Sequence, residues 1–130
     1  MKPNTARSLA RSSSELVNGV LVNGVLVNGV LVNGEFVDGV LAVVSSIPAG
    51  HAMAYGEVAA AIGSRAPRAV GQVMAYHGSE VAWWRVVRAS GHPAVGHEAR
   101  ALEHYRAEGT PLRWSGDVYR VDLAAARWRP

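Results

Sequence analysis

A five-residue period runs through the first third of the chain. Leu16-Val17-Asn18-Gly19 is followed by Val-Leu-Val-Asn-Gly three times through Gly34, and the pattern decays through Glu35-Phe36-Val37-Asp38-Gly39. Five matches neither the two-residue repeat of a strand nor the 3.6-residue repeat of a helix. Asn-Gly favours type I′ turns, yet the three-residue segments between them are too short for an independent sheet. Residues 1–35 are therefore expected to be a low-complexity, poorly ordered segment; a stacked β-solenoid is the alternative. The segment is apolar, β-prone and nearly uncharged, which makes it an aggregation hazard where exposed. The folding unit must then lie in residues 36–130, enough for one small domain.

Composition narrows the chemistry. Hydrophobic residues make up 49% and charged residues 18% of the chain, the balance of a globular core. There is no cysteine, which excludes disulfides, thiolate metal sites and a cysteine nucleophile. The five histidines follow no metal-ligand spacing, so neither a metal nor any other cofactor is expected. Basic residues exceed acidic ones by 13 to 10, and all but Lys2 are arginine, the side chain suited to forked contacts with phosphates and bases. Arg65, Arg68, Arg85 and Arg88 concentrate that charge mid-chain, with Glu80 alone between them. Asn-Gly pairs interrupt every apolar stretch near the N-terminus, so no signal peptide or membrane span is read and a cytoplasmic, nucleoid-associated protein is expected.

From Phe36 the period becomes helical: Val37, Val40, Leu41 and Val44 line one face, and Ile47-Pro48-Ala49-Gly50 ends the run. A short helix is read over Tyr55–Gly63. A second starts at Pro67, favoured in a first turn, and continues to Tyr76 with Val70, Val73 and Met74 inward. Two short helices around a tight turn, the second arginine-bearing and rich in small residues, form a helix-turn-helix pattern. Val81–Arg88 reads as extended, a last helix runs from about Gly96 to Glu108, and Leu112–Trp114 with Val118–Asp122 reads as a small hairpin or wing. The fold class expected is mainly α: a helix-turn-helix or winged-helix-like domain with a C-terminal β hairpin.

Ile47-Pro48-Ala49-Gly50, Tyr55-Gly56-Glu57-Val58-Ala59, Pro67-Arg68-Ala69-Val70-Gly71 and Trp83-Trp84-Arg85-Val86-Val87 occur in the order that resembles the DNA-binding domain of O6-alkylguanine-DNA alkyltransferases, over about Phe36 to Trp128. That family carries Pro-Cys-His-Arg-Val at its active site. This chain has Ala82-Trp83-Trp84-Arg85-Val86, with Trp83 in the acceptor position. An indole supplies neither thiolate nor base, so alkyl transfer there is excluded. Tryptophan at that position resembles the alkyltransferase-like proteins, which bind alkylated DNA without repairing it. The departures from their pattern are Ala82 for proline and Trp84 for histidine.

The resemblance implies a non-enzymatic reader of O6-alkylguanine in double-stranded DNA that works by nucleotide flipping. It implies partners among nucleotide excision repair proteins, UvrA-like, and action as a monomer away from membranes. It assigns Tyr55 to steer the phosphate of the flipped nucleotide and Arg68 to fill the vacated stack. Arg65, Ala69, Gln72 and Arg88 would lie along the DNA. The lesion pocket would hold Trp83, with Trp84 as pocket wall or core, Arg85 as hydrogen-bonded support of the loop, and Arg100 in the pocket-closing segment. The alternatives are a generic winged-helix regulatory module without a pocket, an enzyme using Glu57, Glu80 or His77, and an inactive descendant.

Overall fold

The computed structural model describes residues 24–27 and 29–130; expectations for residues 1–23 lie outside them. The last two repeat units pair as an antiparallel hairpin of β1 (Gly24–Val27) and β2 (Val30–Asn33), with Val25 opposite Val32 and Leu26 opposite Leu31. Gly29 closes the two-residue connection at φ +80°, a left-handed conformation that glycine adopts without strain. So short a hairpin needs tertiary support. Val32 provides it by burying its side chain in the core cluster that also holds Val40, Val44, Ala69 and Val73.

The next Asn-Gly plays a different part. Asn33 accepts the Phe36 N–H through Oδ1 at 2.9 Å and caps α1 (Gly34–Ser46), so the helix starts two residues before the sequence suggested. Val40 and Val44, one turn apart, are fully buried on its inner face. The chain then forms β3 (Met53–Ala54), α2 (Tyr55–Ala61) and α3 (Pro67–His77). A 3-10 turn follows at Gly78–Glu80 and another at Trp83–Arg85. β4 (Val86–Val87), α4 (Glu98–Glu108), β5 (Leu112–Ser115), β6 (Val118–Val121) and α5 (Leu123–Ala126) complete it. Helices dominate, with a small antiparallel hairpin of β5 and β6. None of the described helices is long and apolar enough to cross a membrane.

Val81–Arg88 corrects the extended reading. Trp83–Arg85 forms a 3-10 turn closed by the Arg85 N–H to Ala82 O bond at 3.1 Å, and within this segment only Val86 and Val87 form a strand. These two pair in parallel with Met53 and Ala54. Successive strand side chains point to opposite faces. Met53 and Val86 accordingly join the core under α1, α2 and α3, whereas Val87 joins a second core formed by Ala101, Tyr105, Tyr119, Val121 and Leu123. This two-residue ribbon ties the α1–α3 half to the α4–hairpin half.

Gly91 fixes where the loop before α4 runs. At φ +94°, a Cβ there would fall onto the Val121 carbonyl, and its own carbonyl accepts the Val121 N–H at 2.9 Å.

Candidate nucleic-acid interface

α2 begins without a side-chain cap at Ala54. Glu57 compensates by accepting the Ala54 N–H at 2.9 Å, while its other oxygen accepts Arg127 Nε at 2.6 Å. Gly63 at φ +74° reverses the chain after α2, and the Ser64 hydroxyl accepts the Ala66 N–H before Pro67 opens α3. The 100° step per residue then sorts α3 into two faces. Ala69, Val70 and Val73 are buried. Arg68, Gly71, Gln72, Ala75 and Tyr76 fall on the outward side, where Arg68 is exposed, Gln72 half-exposed and Tyr76 74% exposed. Arg65 projects from the preceding turn. Ala69 differs from the other expected contacts: at 0% exposure its side chain packs into the core.

A cavity of about 340 Å³ opens beside this face. From α3 come Gly71, Met74 and Ala75, whose small or flexible side chains leave the space open. The following turns add Gly78, Ser79 and Trp83, α2 adds Tyr55, and the far rim is Ala94, Val95, His97 and Arg100. Burial pushes the Tyr55 phenol pKa up, against the opposing effect of Arg88, so its hydroxyl remains a protonated donor at neutral pH. Trp83 is held by aromatic neighbours: Trp84 and His104 meet its ring edge-on at 5.7 and 5.8 Å, and His97 lies at 5.5 Å. The Arg100 guanidinium sits 5.4 Å from its centroid.

Neither Trp84, read as pocket wall or core, nor Arg85, read as support of the loop, lines this cavity; both lie behind Trp83 and are bonded to Glu108. The Trp84 ring stacks on His104 at 3.6 Å and 5°. Its Nε1 donates to Glu108 at 2.9 Å, and its carbonyl accepts the Tyr105 hydroxyl at 2.6 Å. Arg85 grips the same carboxylate through Nε and Nη2 at 3.1 and 2.6 Å, and its Nη1 donates to the Ile47 carbonyl at 2.9 Å. Gly50 N–H adds a further bond to Glu108 at 3.0 Å. Burial alone would raise the Glu108 pKa, but the bonds from Arg85, Gly50 and Trp84 together hold it below the usual carboxylate range. Glu108 thus joins three distant segments: the Ile47–Gly50 turn, the Trp83–Arg85 turn and the end of α4. Arg88 is likewise occupied, its Nε donating to the Pro93 carbonyl at 3.1 Å.

The sequence profile of the 6-O-methylguanine DNA methyltransferase DNA-binding domain matches residues 35–110. The chain belongs to this family. Two solved structures resemble this methyltransferase-family chain: S. pombe Atl1 in complex with damaged DNA containing O6-carboxymethylguanine, and S. pombe ATL in complex with DNA. They are 29% and 28% identical to it, with TM-scores of 0.65 and 0.64. Each alignment covers 74% of this chain and 96% of the other. No curated protein matches the chain.

Within this family domain, sequence reasoning named Tyr55, Trp83 and Arg100, which the fold brings to one cavity, and Arg68 and Gln72, which share the adjoining helix face. It missed the rim residues Val95 and His97, and it missed His104 and Glu108. One signal pointed to Glu108: a carboxylate in the last turn of a helix opposes the helix dipole and calls for a cationic partner elsewhere. His104 had no such signal, since its partner is a tryptophan 20 positions away.

Proposed function

We propose that this chain is a non-enzymatic DNA-damage reader that binds O6-alkylguanine in duplex DNA by flipping the nucleotide into the Trp83 cavity. The observation that carries the reading is the indole of Trp83 lining a cavity beside the outward face of α3, in a family whose acceptor residue is cysteine and in a chain that has none. An aromatic wall contributes about 1–3 kcal/mol by stacking on a base. A buried methyl adds only about 0.8 kcal/mol, roughly fourfold in affinity, so selectivity comes chiefly from the lower cost of flipping a base whose pairing is already weakened. Arg68, exposed in the first turn of α3, is assigned to the vacated stack, and Tyr55, a protonated donor, to the phosphate of the flipped nucleotide.

In this reading residues 36–130 are the DNA-binding domain, α2 and α3 its helix-turn-helix and β5–β6 its wing. The bound lesion would be handed to nucleotide excision repair proteins by a monomer acting in the cytoplasm. A winged-helix module without a lesion pocket would have no use for the cavity or for the aromatic cluster behind Trp83. The test is tryptophan fluorescence during titration with two duplexes differing in one base, O6-methylguanine or guanine. Tighter binding of the modified duplex, with a change in emission from Trp83, is expected; equal affinities refute the reading.

A further inference from the structure

Arg100 is the one arginine that lines the cavity, and it has no carboxylate partner among the described residues. Among the described residues Arg85 is paired with Glu108, Arg113 with Asp122 and Arg127 with Glu57, whereas Arg100 forms no ion pair. It lies instead with its guanidinium over the Trp83 ring at the cavity rim, next to His97. None of the residues lining the cavity is acidic. Glu98, two positions before Arg100, lies outside the lining and accepts the Gly96 N–H at 3.0 Å, and backbone N–H groups of Glu98 and Gly96 hold its pKa low. The cavity wall therefore presents a cation without an acidic partner, held over the face of Trp83.

Resting on the lesion-reading role above, we propose that Arg100, assisted by His97, makes the cavity selective for guanine adducts whose alkyl arm ends in a carboxylate. The chemistry separates charge from size. A neutral arm of equal length gains the same burial against Met74 and Trp83, and an amide terminus accepts the same hydrogen bond. Only the carboxylate adds a charge-assisted, bidentate contact to the guanidinium, about twice as strong as its neutral counterpart. The rim is partly open to water, which limits the gain to about tenfold in affinity at low salt.

The test uses the full chain and four duplexes that differ at one base: guanine, O6-methylguanine, O6-carboxymethylguanine and its neutral isostere O6-carbamoylmethylguanine. The expected result is about tenfold tighter binding of the carboxymethyl than of the carbamoylmethyl duplex, a ratio that shrinks with added salt and falls to about one in Arg100→Gln. Equal affinities for the two isosteres, both above guanine, overturn this proposal and leave the lesion-reading role standing. No preference for any adduct over guanine overturns both. If Arg100→Gln weakens all four duplexes by the same factor, Arg100 contacts the DNA backbone and the carboxylate assignment fails. If the preference survives in Arg100→Gln unchanged, the assignment to Arg100 is wrong.

Discussion

Removing the Glu108 carboxylate tests whether the support behind Trp83 is a structural unit. Glu108 and Arg85 are 12% and 19% exposed, and truncation to alanine strands two Arg85 donors, the Trp84 indole N–H and the Gly50 N–H. Deleting one partner of a buried pair costs about 3–5 kcal/mol, and the residual exposure places this site at about 3 kcal/mol. That corresponds to a fall in Tm of roughly 12–24 °C for a domain of this size. Glu108→Gln keeps an acceptor but loses the charge, and should cost about 1–2 kcal/mol. The pH dependence follows from the sign of the shift. The folded-state pKa of Glu108 lies below its unfolded value, so its stabilisation is complete above about pH 4.3 and is lost as pH falls through the folded value. Guanidinium denaturation at several pH values is the assay. The gap between wild type and Glu108→Gln should be constant near neutrality and shrink progressively as pH falls below the unfolded value of about 4.3. A loss under about 1 kcal/mol in Glu108→Ala, or a gap that persists unchanged to pH 3, would refute the reasoning.

Trp83→Ala should reduce the affinity ratio of O6-methylguanine to guanine duplexes by roughly five- to a hundredfold while changing binding to unmodified DNA little, as measured by competition titration. Arg68→Ala should weaken lesion binding by about tenfold, read from fluorescence anisotropy; an unchanged Kd would make it a solvated surface arginine. Gly91→Ala should destabilise the domain by about 2 kcal/mol or more in chemical denaturation, because its Cβ collides with the Val121 carbonyl at a positive φ.

The helices were legible because their apolar spacing and their stop residues agree: Val40 and Val44 sit in phase on α1, and Pro67 opens α3. The burial of Ala69 was not legible from its neighbourhood. This residue follows Arg68 in the motif, yet one residue along a helix turns the side chain by 100°, enough to move it from solvent to core. The Trp83–Arg85 turn was hidden for a different reason. Its residues have strand propensity, and what bends them is tertiary, through the pull of Glu108 on Trp84 and Arg85 and of the Tyr105 hydroxyl on the Trp84 carbonyl. The cavity was legible in its chemistry but not in its whole boundary, since Ala94, Val95 and His97 on the far rim belong to the loop that Gly91 anchors against Val121.

The β1–β2 hairpin is cut from units of one sequence, and its last unit is anchored by Val32 in the core and by Asn33 at the start of α1. If one pentamer is deleted upstream of that junction, Gly19-Val20-Leu21-Val22 arrives where Gly24-Val25-Leu26-Val27 stood, with the same residues in the same order. Loss of one pentamer therefore leaves the sequence of the hairpin unchanged, and an allele one unit shorter should keep the stability and DNA affinity of the full chain.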